Sequence, residues 1–146
     1  MTATPPNIRF REARERRGLS ADEVAESCGV QPIDVWEIEG LENDLEHCYS
    51  PKMLQKFCHI LGIRPIELFA DDMNEPPVSA DDLVQLIRAE CRSRGVTLGQ
   101  FEDIVEWQLS SSIEPPEKLL EVMTLFYLQR LCQELQIDWR RVILSL

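Results

Sequence analysis

The sequence lacks the features of a membrane-spanning or an exported protein. No apolar run in its 146 residues approaches the roughly 18 residues that a transmembrane helix needs. Residues 1–7 carry neither the positive charge nor the apolar stretch of a signal peptide. We therefore expect a cytoplasmic protein with no membrane partner.

The spacing of a metal site or a disulfide framework is also missing. The five cysteines are scattered and form no C-x-x-C pair: Cys28, Cys48, Cys58, Cys91 and Cys132. The neighbours His47-Cys48 and Cys58-His59 are the one candidate zinc cluster, but adjacent side chains on a helix point apart. We favour reduced, buried cysteines over zinc, and expect no metal and no cofactor.

The motifs of common enzyme classes are absent. The chain has two histidines, and it has no glycine-rich phosphate loop, no nucleophile motif and no metal-ligand set. We expect that the protein is not an enzyme.

Positive charge is scarce, and one long stretch has none. The net charge is −11, so the chain repels a phosphate backbone at long range. Between Gly18 and Pro51, which we call the motif segment, there is no Lys or Arg. The same segment holds nine acidic residues: Asp22, Glu23, Glu26, Asp34, Glu37, Glu39, Glu42, Asp44 and Glu46.

What the chain does contain is a series of short helical segments, divided by a polar stretch. Residues 71–78 read DDMNEPPV, a composition that breaks helices, and we interpret them as a linker. The predicted fold class is all-α, with tandem small helical domains at residues 1–70 and 79–146.

Capping residues and apolar spacing predict five helices in the first domain. They run from Asn7, as the cap, to Arg17; from the Ser20/Glu23 capping box to Gly29; from Pro32 to about Glu39; from Ser50-Pro51 to Gly62; and from Pro65 to about Phe69. A polar loop is expected after the third helix.

The second domain is predicted in the same way. Its helices run from Ser79 to about Arg94, from the Thr97/Gln100 capping box onward, from Pro115-Pro116 as one long helix to about Leu135, and from an Asp138 cap to near the chain end.

The two domains resemble one another in sequence. RRGLSADEV from Arg16 aligns with SRGVTLGQF from Ser93, and FCHILGIRPIELF from Phe57 aligns with LCQELQIDWRRVI from Leu131. We favour a tandem repeat, with a degenerate second copy, over two unrelated helical bundles that merely share common helix-capping and helix-ending residues. Cys58 and Cys132 are then expected at equivalent buried sites.

FREARERRGLSADEVAESCGVQPIDVWEIEG, from Phe10 to Gly40, resembles the Cro/lambda-repressor (XRE) type of helix-turn-helix protein. The shared pattern is arginine-x-x-x-glycine-leucine-serine, then glycine-valine at a turn, then isoleucine-glutamate-x-glycine. SPKMLQKFCHILGIRPIEL, from Ser50, resembles the closing helices of that family. The resemblance covers about residues 8–70 and implies a lambda-repressor-like five-helix domain.

The resemblance implies a recognition face on the third helix, whose outward side chains read base edges in that family. The corresponding residues are Gln31, Pro32, Ile33, Trp36 and Glu37. Only Gln31 has the chemistry of a base reader. Trp36 is equally compatible with a partly buried position at the edge of the core.

Two arginine features belong to the first helix. Arg9, Arg11, Arg16 and Arg17 form the candidate basic patch, although a solvated helix face is the interpretation we prefer. The family pattern also implies a largely buried ion pair between Arg14 and Glu39. In the second copy Cys91 stands at the place of Arg14, so no such pair is expected there.

The sequence therefore predicts a regulatory, transcription-related helix-turn-helix protein. We favour action through a protein partner because the candidate recognition face is acidic; the alternative is a direct, sequence-specific DNA-binding transcriptional regulator. The predicted long helix is apolar on more than one face, with Thr124 alone polar between Val122 and Leu128. Either it is central in its domain or it meets another subunit, and we expect a homodimer.

Overall fold

The computed structural model describes residues 3–146 and confirms the all-α fold class. This part of the chain forms ten α-helices and one 3-10 helix, and no strand. The helices are α1 (Pro6–Arg16), α2 (Ala21–Cys28), α3 (Pro32–Gly40), α4 (Asp44–Cys48), α5 (Pro51–Leu61), the 3-10 helix (Pro65–Leu68), α6 (Ala80–Arg94), α7 (Leu98–Val105), α8 (Glu117–Val122), α9 (Leu125–Glu134) and α10 (Arg140–Leu144). Over the same residues, no helix is both long enough and apolar enough to cross a membrane.

The helix starts follow the capping residues in the sequence. The Ser20 hydroxyl accepts a hydrogen bond from the amide of Glu23, whose carboxylate accepts from the Ser20 amide. Thr97 and Gln100 make the same reciprocal pair at the start of α7. These bonds satisfy amides that have no partner within the helix, so the two predicted capping boxes are confirmed.

The start of α1 differs from the prediction. Asn7 does not cap the helix, which begins at Pro6 after an extended Pro5. Proline fits there because the first helical position needs no N–H donor. The Asn7 side chain is buried instead, and its amide donates to the Glu39 carbonyl at 3.2 Å.

Two further predicted segments are wrong. The expected polar loop after α3 contains α4, whose Leu45 is buried and anchors an otherwise polar helix. The expected long helix is two helices, because Met123 and Thr124 adopt extended backbone between α8 and α9. The break lets α8 and α9 pack on different neighbours, α5 and α4 respectively.

The apolar run of the predicted long helix is therefore used inside the chain. Met123, Leu125 and Leu128 are each fully buried, and α9 packs against α4. The amide of Leu125 donates to the Tyr49 carbonyl at 3.0 Å. This packing accounts for Met123, Leu125 and Leu128, whereas Val122 and Phe126 stay 42% and 38% exposed.

Residues 71–78 contain no helix, yet their end is well anchored. Val78 is buried, and its amide donates to the Arg141 carbonyl at 2.9 Å. The Phe69 and Trp139 rings meet edge to face at 5.0 Å on the two sides of this segment. The buried side chains before and after it belong to one connected hydrophobic core.

Four of the five cysteines lie in that core as free thiols. Cys58 on α5 and Cys132 on α9 are fully buried and not bonded to another cysteine, which confirms the expected burial of both. Burial raises the pKa of each of these two thiols to about 12. Cys48, at the end of α4, is exposed.

This arrangement predicts the thiol reactivity of the native protein. Cys48 should react with a disulfide reagent such as dithionitrobenzoate in one fast phase, because the other four thiols are shielded. Partial burial and the neighbouring Asp44 raise the Cys48 pKa, so that this phase should accelerate with rising pH. In denaturant all five thiols should react.

The matched control is Cys48→Ser, which should abolish the fast phase and leave the slow ones. Two or more equally fast thiols in the native protein would contradict the described packing.

Candidate recognition surface

The helix α3 is fixed on the body of the first half by its inward residues. Val35 and Ile38 are fully buried, and α3 packs against both α1 and α2. Gly29 ends α2 with a left-handed backbone (φ 72°), so the chain turns directly into α3. The Asp34 carboxylate then accepts from the Gln31 amide at 2.8 Å and caps the start of α3.

An ion pair locks the far end of α3 to α1. Arg14 donates to both carboxylate oxygens of Glu39, from Nε at 2.7 Å and from Nη2 at 2.8 Å. The two side chains are 11% and 4% exposed, so the pair is largely buried. A third bond runs from Arg14 to the Leu19 carbonyl at 2.9 Å. Hydrogen bonding to Glu39 raises the pKa of Arg14, which stays charged.

The outward side of α3 carries the residues that the resemblance implied. We call Gln31, Pro32, Ile33, Trp36 and Glu37 the α3 face, and all five are exposed. Ile33 is 58% and Trp36 is 56% exposed, the two highest values among the large apolar residues. The Trp36 ring lies 5.9 Å from the Arg14 guanidinium carbon, within cation–π range. Trp36 is therefore a surface residue rather than part of the core edge.

The surroundings of the α3 face are acidic. Of the nine carboxylates in the motif segment, Glu39 is neutralised by Arg14. The other eight make no ion pair with any of residues 3–146. The negative charge of these carboxylates acts on a neighbouring side chain. The pKa of Tyr49 is raised, first by partial burial and in addition by the charges of Asp34 and Asp44. An approaching phosphate would meet the same field.

One cation comes to the edge of the motif segment from elsewhere in the chain. Lys56 on α5 lies beside the α2–α3 turn, and its Nζ would be 3.8 Å from a Cβ on Gly29. The motif segment contains no cation of its own, and Lys56 lies five residues beyond its end. The i, i+3 spacing places Lys56 on the same side of α5 as Met53, and this was the available signal.

The candidate basic patch is smaller than the sequence predicts. Arg9 bonds to the Asp71 carboxylate at 2.9 Å and to the carbonyls of Thr4 and Glu67, and its side chain is 14% exposed. It ties α1 to the 3-10 helix and to the segment after it. Arg11, Arg16 and Arg17 remain exposed.

In the second half, Cys91, which the sequence alignment of the two halves pairs with Arg14, is buried. Among the described residues, the ion pair that joins α6 to the segment after α7 is Arg88 with Glu114, at 3.5 Å and with side chains 48% and 83% exposed, so it is a surface contact unlike the buried pair of Arg14 and Glu39. Over residues 3–146, no three His, Cys, Asp or Glu side chains converge in a way that could hold a metal ion.

Comparison with known proteins gave one match. A family model described as helix-turn-helix matches residues 10–68, a segment from α1 to the 3-10 helix. No curated protein and no solved structure matches the chain. The match covers α2, the turn and α3, the elements that carry the α3 face.

The buried ion pair yields a prediction for stability. Arg14→Ala or Glu39→Ala should each lower the free energy of unfolding by roughly 3–5 kcal/mol, because each leaves a buried charge without its partner. The double variant should lose less than the sum of the two. Urea denaturation of the three variants gives the coupling directly.

Arg130 and Glu106 provide the matched control, because their 3.1 Å ion pair is 40% and 61% exposed. Arg130→Ala should cost about 0–1 kcal/mol. Equal losses for Arg14→Ala and Arg130→Ala would show that the Arg14–Glu39 pair does not hold α3.

Proposed function

Because a helix-turn-helix family model matches residues 10–68, we propose that the chain is a regulatory protein whose α3 face binds a protein partner. Helix-turn-helix proteins of the type it resembles are regulators, and we propose regulation rather than catalysis for this chain. The single observation that carries the proposal is the chemistry of the α3 face: an exposed apolar centre surrounded by unpaired carboxylates.

The apolar centre supplies the binding energy in this proposal. Ile33 and Trp36 stand one helical turn apart on α3, and Leu41, which follows α3, is 54% exposed. Exposed apolar clusters with polar surroundings mark interaction sites, and tryptophan is among the residues that dominate such interfaces. The Arg14 guanidinium lies 5.9 Å from the centre of the Trp36 ring, within cation–π range, and so adds a contact that favours this position of the ring.

The carboxylates define the partner. Eight unpaired acidic residues repel phosphates and attract lysine and arginine, so electrostatic complementarity favours a basic protein surface. We propose a partner with an apolar pocket or ridge that receives Trp36, surrounded by lysine or arginine side chains.

The second candidate function is direct, sequence-specific binding to DNA. The helix-turn-helix match favours it, and Gln31 is an exposed amide at the start of α3, where base readers stand in this family. Arg11, Arg16 and Arg17 could contact phosphates in a different orientation of the domain. The charge of the motif segment opposes docking through the α3 face itself, since phosphate neutralisation supplies much of the affinity for DNA.

Binding measurements with two labelled probes separate the candidates. The probes are an amphipathic helical peptide of lysine and leucine, and a pooled random-sequence DNA duplex at low salt. The peptide should bind, and Trp36→Ala should weaken it by about thirtyfold, the equivalent of the roughly 2 kcal/mol of an interface hot spot. The duplex should not bind at micromolar protein.

Ile104→Ala is the matched control for the loss of an exposed apolar side chain, because Ile104 is 38% exposed on α7. It should leave peptide binding unchanged. Tight, salt-sensitive duplex binding that is lost on changing Trp36 and Glu37 to alanine would instead establish the DNA function. Loss of duplex binding only on changing Arg11, Arg16 and Arg17 would assign it to the α1 surface.

A further inference from the structure

Six residues of the described chain have left-handed backbone, three in each half, and each one in the first half has a matching residue in the second half at a nearly constant separation along the sequence. The pairs are Gly18 with Gly95, Gly29 with Glu106, and Gly62 with Gln136, at separations of 77, 77 and 74 residues. Each member lies at or just after a helix end. Two of the pairs keep this conformation although the second member is not glycine, and side-chain-bearing residues rarely adopt it. The helices of the two halves therefore end in the same geometry.

The helices themselves repeat with the same offsets. Moved by 77 residues, α2 coincides with α7 residue for residue. Moved by 74, α4 and α5 fall on α8 and α9, and the 3-10 helix falls on the start of α10. Two of the contacts within each half correspond as well: α2 packs on α5 as α7 packs on α9, and α1 packs on α4 as α6 packs on α8.

The packing between the halves is reciprocal. The first half places α4 against α9, and the second half places α8, the counterpart of α4, against α5, the counterpart of α9. The 3-10 helix meets α10, its own counterpart. In a two-fold, isologous interface, each contact occurs twice with the roles of the two subunits exchanged. The contacts between the two halves follow this pattern.

Side chains at the interface follow the same relation. His47 stacks on Phe126 at 4.8 Å. The equivalent positions are Glu121 and Lys52, which together line a cavity of about 260 Å³ between the halves. Corresponding positions therefore face one another at both ends of the interface, as two stacked aromatic rings at one end and as two charged residues lining the cavity at the other.

Only α3 has no counterpart. Between the end of α7 at Val105 and the start of α8 at Glu117 there is no helix, and these 11 residues are four fewer than the 15 between α2 and α4 in the first half. Where the first half presents Ile33 and Trp36, the second half presents a run of turns containing Ser110 and Ser111.

We infer that the chain is a dimer of helix-turn-helix units fused into one polypeptide, in which the second unit has lost its recognition helix. The second half occupies the place of a second subunit and covers α4, α5 and the 3-10 helix of the first. The chain acts as a monomer and offers the α3 face once. Its target is a single site without two-fold symmetry, bound one to one.

The stoichiometry rests on the proposed function, whereas the fused-dimer architecture does not. A two-fold protein with two reading helices suits a two-fold target, as the palindromic sites of helix-turn-helix dimers illustrate. A chain with one recognition helix makes this contact once, so it does not suit a partner that presents two symmetric sites. This inference replaces the homodimer expected from the apolar run around Thr124.

Two measurements on the full chain test the architecture. Sedimentation velocity at tens of micromolar should give a single species at the chain mass of 16.9 kDa. Under the same conditions, the amide of Leu125 should exchange hydrogen more slowly than those of Phe126 and Tyr127. All three amides lie in the first turn of α9, but Leu125 donates to Tyr49 across the interface.

A stable dimer would overturn the inference, and so would fast exchange at Leu125 in the monomer. The conservative variant Phe126→Leu removes the stacking on His47 and should accelerate Leu125 exchange without changing exchange at Val24 in α2.

The stoichiometry is tested by titrating the lysine–leucine peptide into the protein and its Trp36→Ala variant. One peptide per chain, lost in the variant, is the expected result. Two equivalent peptides per chain would show that the second half has a reading face of its own. If no peptide binds, the proposed function fails, while the mass and the Leu125 exchange still decide the architecture.

Discussion

The buried ion pair between Arg14 and Glu39 is the interaction on which the recognition surface depends. It holds the end of α3 to α1 with two short hydrogen bonds, where either charge alone would be unfavourable. Together with the buried Val35 and Ile38, it fixes the rotation of α3 and so decides which side chains face outward. The same guanidinium lies within cation–π range of Trp36, so one arginine both anchors the helix and contacts the aromatic residue of the α3 face.

The charge of the motif segment acts as a second constraint. A helix-turn-helix geometry alone is compatible with DNA or protein as the target, because the fold positions a helix without fixing what its side chains recognise. Here the charge of Arg14 is neutralised by Glu39 within the domain, and Lys56, a further cation, lies beside the α2–α3 turn at the edge of the motif segment. The proposal of a basic protein partner follows from this distribution of charge around an exposed tryptophan.

The packing of the two halves adds a constraint on stoichiometry. A covalent second copy can lose its recognition helix and still serve as a packing partner, because the interface uses α8, α9 and α10 rather than the segment between α7 and α8. Glu106 and Gln136 adopt the left-handed backbone that Gly29 and Gly62 adopt in the first half. Residues with a side chain rarely adopt this backbone, so the local residue preference alone does not explain these two turns.

The sequence predicted the helix-turn-helix domain, most helix boundaries, the two capping boxes and the burial of four of the five cysteines, and the family resemblance implied the ion pair between Arg14 and Glu39. These features depend on local spacing and on a pattern of many residues. Tertiary structure decided the rest. The break at Met123 and Thr124 lies inside an apolar run whose spacing predicts one helix. A signal for the break was available, because Thr124 aligns with Ser50, which caps α5 in the first half. The burial of Arg9, the approach of Lys56 and the reciprocal packing join residues far apart in the chain, and no local pattern encodes such contacts.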